Sequence, residues 1–118
     1  MKYLCLIYDE EKKMDAMPKS EMEGFMGEYR ALSKELTDKG HYIAGAQLQP
    51  AQTATTVRVK NGRTTTTDGP FAETREQLGG FYMVEARDLN EAIKLAAKIP
   101  SARTGSIEVR PLMPPRQN

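Results

Sequence analysis

The sequence predicts an α+β fold, with one four-stranded sheet, two helices on one of its faces and a β-hairpin inserted at its middle. Three observations predict it. Lys2–Tyr8 and Gly80–Glu85 read as strands that are apolar on both faces. Two segments with apolar residues three and four apart lie between the strands. An Asn61-Gly62 pair, flanked by β-branched residues, marks a tight hairpin.

Each element has its own justification. In Lys2–Tyr8, Tyr3, Cys5 and Ile7 alternate with Leu4, Leu6 and Tyr8, so both faces expect cover. The next segment, PKSEMEGFMGEYRALSKELTDKG, carries Met22, Phe25, Met26, Tyr29, Leu32 and Leu36 on one helical stripe. Ser20 with Glu23 reads as its capping box, and Gly40 as its stop. Gly24 and Gly27 weaken this helix by roughly 1 kcal/mol each relative to Ala and suggest the approach of another backbone. A second strand follows over His41–Leu48, then the hairpin TTVRVK-NG-RTTTT. Thr74 to Gln77 fits a single helical turn. In Gly80–Glu85, Phe81 and Met83 oppose Tyr82 and Val84. Asp88 and Glu91 cap a helix bearing Leu89, Ala92, Ile93 and Ala96, which Pro100 ends. The last strand, Ser106–Arg110, alternates strictly, Ile107 and Val109 against Glu108 and Arg110.

This order is the split βαβ, or ferredoxin-like βαββαβ, arrangement with an inserted β-hairpin. That topology centres the first and third main strands, the two that are apolar on both faces. Residues 1–112 make one domain, and the Pro-rich residues 113–118 a C-terminal tail with little to order it.

The totals restrict function. A chain of 118 residues supports one modest core. Lys plus Arg is 17 against 16 for Asp plus Glu, without a basic run, which argues against nucleic acid as a partner. Cys5 is the single cysteine, so no internal disulfide forms. The apolar N-terminal run is too short for a signal sequence, and no stretch reaches membrane-spanning length. A cytoplasmic protein without membrane attachment is expected.

Two helices cover only one face of such a sheet, so the apolar residues on the other face need a cover. The expected cover is a second copy, giving a homodimer that pairs sheet to sheet as an α+β barrel and encloses a space for a ligand. The competing arrangement folds the hairpin and tail over that face within one chain.

The stretch Asp68-Gly69-Pro70-Phe71 interrupts the pattern. A two-residue Asn61-Gly62 turn pairs Lys60 with Arg63 and places Asp68 opposite Thr55, on the face of Val57 and Val59. An inward carboxylate must find donors or take a proton. Asx-type bonding to the turn, with Gly69 supplying a permissive φ and Phe71 anchoring the loop, is one solution. The other is a site, with Asp68 as general base or ligand contact. Glu73 and Glu76 follow it, but acids there read as solvated, and no oxygen-rich metal loop or zinc spacing is present. No cofactor is implied. Gln47 and Gln49 end the second strand and offer amides to the same space. Arg110 fits either pairing with Asp68 or an anionic ligand, against a solvated edge-strand charge. His41 reads as solvated, and Cys5 as a small hydrophobe.

TDGPFAETREQLGGFY, together with KYLCLIY, AGAQLQP and SIEVRPL, resembles the DGPF branch of the YCII-related family over nearly the whole chain. The resemblance implies a ferredoxin-like α+β barrel formed by dimerisation. Shorter family members share a His on the first helix and an Asp before the Pro that ends the second, taken as an active site, and the wider group includes a dehydrochlorinase. Here the corresponding helix carries Glu28 and Tyr29, and Ile99 precedes Pro100, so that pair does not carry over. The branch also resembles proteins encoded beside extracytoplasmic-function sigma factors. Two readings follow. One is a homodimeric small-molecule-binding protein, with or without weak acid–base activity, whose pocket lies near the Asp-Gly-Pro-Phe loop. Its candidate contacts are Asp68, Phe71, Glu73, Gln47 and Arg110. The other is a non-catalytic regulatory partner, for a sigma factor, using the hairpin's basic face.

Overall fold

The computed structural model describes residues 1–116, and the last two residues of the tail predicted over 113–118 lie outside them. Strand β1 (Lys2–Asp9) runs along the middle of a four-stranded sheet between β5 (Gln77–Glu85) and β6 (Ser106–Pro111). On the far side of β5 lies β2 (Tyr42–Gln47), giving the order β2-β5-β1-β6 with every pairing antiparallel. The strands with apolar residues on both faces are therefore the central ones.

Helices α2 (Lys19–Asp38) and α3 (Leu89–Ala96) cover one face. Tyr3, Cys5, Ile7, Tyr82 and Val84 point into this cover, with Phe25, Leu32 and Leu36 from α2 and Ala92, Leu95 and Ala96 from α3. Asp88 caps α3 through a hydrogen bond from the Glu91 amide, and the Glu91 carboxylate returns to the Arg87 amide. The opposite face carries Leu4, Leu6, Phe81 and Met83, all partly exposed, and nothing within the described residues buries them.

The hairpin is a separate two-stranded sheet, β3 (Thr55–Lys60) with β4 (Arg63–Asp68). Its register is the expected one: Lys60 opposes Arg63, Val59 opposes Thr64, and Thr55 opposes Asp68. Asn61 and Gly62, at φ 52° and 75°, supply the positive dihedrals a tight turn needs. Every residue of β4 is exposed, and in β3 only Thr56 is partly covered. A radius of gyration of 16.5 Å, against roughly 13–14 Å for a compact chain of this length, reflects this arm.

Several boundaries differ from expectation. Helix α2 starts at Lys19 behind Pro18, whose fixed φ suits a helix entry, so Ser20 lies inside the first turn and caps nothing. A five-residue helix, α1 (Glu11–Asp15), precedes it and is too short and charged to show periodicity. The helical turn expected at 74–77 does not form: Thr74 bonds the Glu76 carbonyl, and β5 begins three residues early. That start accommodates a bulge, because Ile7 pairs with Gly80 and Tyr8 with Leu78, leaving Gly79 extra. Pro100 does more than end α3, since it opens a last short helix, α4 (Ser101–Thr104). Among the described residues no backbone from another element comes within 4 Å of a Cβ at Gly24 or Gly27; one at Gly27 would meet the Arg30 side chain at 3.6 Å.

Candidate functional site

The space that the fold leaves lies on the helix-covered side of the sheet, between the N-terminal half of α2 and the β2–β5 edge. Its origin is local. Gly45 and Gly80 stand on this face beside Tyr82 and Gln47, and neither fills the volume beneath α2. Close approach requires glycine at 80 and crowds position 45. A Cβ at Gly80 would lie 2.6 Å from the Ala46 carbonyl oxygen, and one at Gly45 3.1 Å from the Tyr82 ring. The result is a cavity of about 450 Å³, a volume that suits a small organic ligand.

Its walls are mainly apolar: Met22, Phe25 and Met26 from α2 above, Met14 from α1 at the side, and Ile7 and the Tyr82 ring from the sheet. The stripe predicted for α2 thus divides in two. Leu32 and Leu36 are buried in the core, whereas Phe25, Met22 and Met26 line the cavity, the two methionines only partly covered.

Polar groups converge at its inner end. The Tyr29 hydroxyl and Ser101 Oγ are 2.6 Å apart, joining α2 to the first residue of α4. Ser33 Oγ and the Tyr82 hydroxyl are 2.7 Å apart, and Tyr82 also donates to the Tyr29 carbonyl at 3.5 Å. The rings of Tyr29 and Tyr82 stack with centroids 6.4 Å apart, and Tyr42 meets Tyr82 edge-on at 6.2 Å. Burial raises the phenol pKa of Tyr29 and of Tyr82, outweighing the hydroxyl contacts that lower it. At neutral pH both phenols keep their protons. Among the described residues no three His, Cys, Asp or Glu side chains gather as metal ligands.

The residues chosen from the sequence are not brought together. Gln47 lines the cavity, and its position after Gly45 on β2 is what puts it there. Asp68 ends β4 on the valine face, as the register required, but both faces of the hairpin are exposed and so is its carboxylate. Phe71 is 82% exposed and anchors nothing, because the loop after β4 hangs outside the core with the arm. Glu73 is exposed on the same loop. The turn is held through its backbone: Gly69, at φ 101°, donates to the Ala54 carbonyl and accepts from the Thr56 hydroxyl. Arg110 lies on the uncovered face, opposite Leu4, and its guanidinium bonds Glu108 rather than Asp68. His41, partly buried, bonds the Glu85 carbonyl through Nδ1 at 2.8 Å.

The loop reaches the cavity only through its end. Gln77 accepts from the Glu11 amide, Glu11 accepts from the Ala51 amide, and Arg75 pairs with Glu10 at 3.0 Å. These ties fix α1 and the segment after Pro50 around the cavity. Sequence reasoning passed over Tyr29, Ser33 and Ser101 as site residues. Tyr29 belonged to an apolar stripe, and Ser101 follows a proline read as a terminator. The available signal was a pair of hydroxyl-bearing residues, Tyr29 and Ser33, four apart on one helix face.

The chain resembles known proteins along its whole length. It is 40% identical over 114 residues to an uncharacterised protein of Rhizobium meliloti (strain 1021), covering 95% of this chain and 92% of that one. The family model for the YCII-related domain matches residues 1–116. With a four-stranded antiparallel α+β sheet and this match, the chain belongs to the YCII-related family.

Proposed function

We propose that this protein, of the DGPF branch of its family, is a homodimeric small-molecule-binding protein that takes its ligand in the cavity beneath α2. One observation carries the reading: a volume of about 450 Å³ with apolar walls and a cluster of protonated hydroxyls at its inner end. It lies where the Asp-Gly-Pro-Phe loop enters β5 through Gln77, Gly79 and Gly80. The loop then acts as a structural connection to the cavity, while Asp68, Phe71 and Glu73 stand outside it. A second copy covering Leu4, Leu6, Phe81 and Met83 completes an α+β barrel, with Arg110 at the edge of that contact.

Titration of the full chain with 4-phenyl-1-butanol, followed by amide NMR, tests the cavity. Shifts should concentrate at Gly45, Gln47 and Gly80, and Met26→Trp, which fills the space, should remove them. Shifts confined to residues 68–73 would return the site to the loop. Sedimentation equilibrium should give twice the 13.2 kDa chain mass; a monomer at micromolar concentration sinks the dimer.

The hairpin supports a second reading, a regulatory contact such as a sigma factor would supply. Val57 and Val59 are 58% and 67% exposed, backed by Arg58, Lys60 and Arg63 on the other face. Under that reading, Arg58→Glu with Lys60→Glu abolishes partner binding and leaves the cavity intact.

A further inference from the structure

The charges around the cavity narrow what it can hold. Three carboxylates line it, Asp9 at the end of β1 and Glu11 and Asp15 on α1, while no lysine, arginine or histidine among the described residues does. Glu11, Met14 and Asp15 follow three- and four-residue spacing, so they share the edge of α1 that borders the cavity, with Glu11 half-buried and Asp15 exposed at the rim. The lysines of α1 do not line the cavity, and Lys13 is 3.6 Å from Glu10. The carboxylates are not consumed by ion pairs. Asp9 takes one hydrogen bond, from the Thr104 hydroxyl at 3.0 Å, and Glu11 one, from the Ala51 amide at 2.9 Å. Asp15 has no hydrogen bond or ion pair among the described residues. The lining also includes aromatic and thioether side chains, from Phe25, Tyr29, Tyr42, Tyr82 and the methionines, beside the neutral Ser33, Gln47, Gln77 and Ser101.

We infer that the cavity selects an organic cation, a primary or secondary amine on an apolar or aromatic body. An anion entering it would meet three carboxylates and no cationic side chain among the residues that line it, since Lys19 and Arg30 border only the adjoining groove. A cation finds carboxylate acceptors at one wall and tyrosine and phenylalanine rings among the rest of the lining. The apolar body of such a ligand occupies the space left by Gly45 and Gly80. This inference rests on the cavity being the binding site, and adds the charge of the ligand to it.

Three probes of matched shape separate the claims: 4-phenylbutylamine, 4-phenyl-1-butanol and 4-phenylbutyrate, each titrated into the full-length protein and read by amide NMR. The amine should bind about tenfold tighter than the carboxylate, with the alcohol between them. In the double variant Glu11→Gln, Asp15→Asn, the amine-to-alcohol ratio should fall about threefold while the alcohol affinity holds. The amide that replaces the Glu11 carboxylate keeps an acceptor for the Ala51 N–H, and Asp15 is exposed, so the fold tolerates both changes. Carboxylate binding equal to or tighter than the amine, with all three probes moving the Gly45 and Gly80 amides, overturns the charge inference and leaves the cavity standing. An amine preference unchanged in the double variant also overturns it. If none of the probes moves those amides, the cavity itself is not the site, and both claims fall.

Discussion

The two faces of the sheet share the same four strands and the same ladder of hydrogen bonds, yet one is closed and the other is bare. Cys5 and Val84 are each 1% exposed under the helices, while Leu4, Leu6, Phe81 and Met83, alternating with them, stay partly open. Strand propensity therefore says nothing about which face is the core, because both sides of β1 and β5 are equally apolar. What decides is supply: α2 and α3 attach to the sheet by short connections and land on the same side. The covered face also holds the cavity, since two glycines leave it incompletely filled. The bare face carries its apolar residues on β1 and β5, bordered on β6 by the paired Glu108 and Arg110.

Leu36→Ala against Leu6→Ala gives the largest expected difference between the faces. Leu36 is 2% exposed and its truncation should cost about 2–5 kcal/mol, read as a lowered urea midpoint. Leu6→Ala should cost less than half of that in dilute protein. Its cost should grow with protein concentration, because a partner that covers the face adds burial by mass action. Equal losses at every concentration would mean that the faces are energetically alike.

The hydroxyls at the cavity's inner end should matter less. Tyr29→Phe keeps the ring stacked on Tyr82 but removes the 2.6 Å contact to Ser101, which is 3% exposed. A net loss of about 1 kcal/mol is expected, with a similar loss for Ser101→Ala. The double variant should cost about 1 kcal/mol less than the sum of the two, since both remove the same bond. Additive losses would show that the two hydroxyls do not act as a pair, and that this end of the covered face is set by packing alone.

The same contrast explains what was legible beforehand. The hairpin could be read to the residue, since a two-residue Asn61-Gly62 turn fixes every pair down to Thr55 and Asp68. The order of the sheet was legible because only central strands need two apolar faces. The cavity was not, because it depends on where α1 and the N-terminal half of α2 settle relative to β5. Met22, Met26 and Tyr29 look the same in a periodic pattern whether they meet a neighbour or a void. Phe71 misled for a similar reason: an aromatic after Gly-Pro reads as an anchor, but the arm carries its loop away from any core.

Cys5 offers the finest test of the closed face, because its neighbours Leu4 and Leu6 lie on the other. Burial raises the Cys5 thiol from 9.0 to about 11. Near neutral pH this costs the fold nothing, since the thiol is protonated both folded and unfolded. Between 9.0 and about 11 the unfolded chain releases its proton while the folded chain retains it. The native state then binds more protons, so stability falls as pH rises through that window. Cys5→Ala should remove this thiol's share of the alkaline decline. Near pH 8 a pKa higher by about two units leaves about a hundredfold less thiolate, so a disulfide reagent should label Cys5 about a hundredfold more slowly in the folded protein than in the urea-unfolded chain. Prompt labelling of the folded protein would mean that the helix-covered face opens readily at β1, and the contrast between the two faces would be one of average position only.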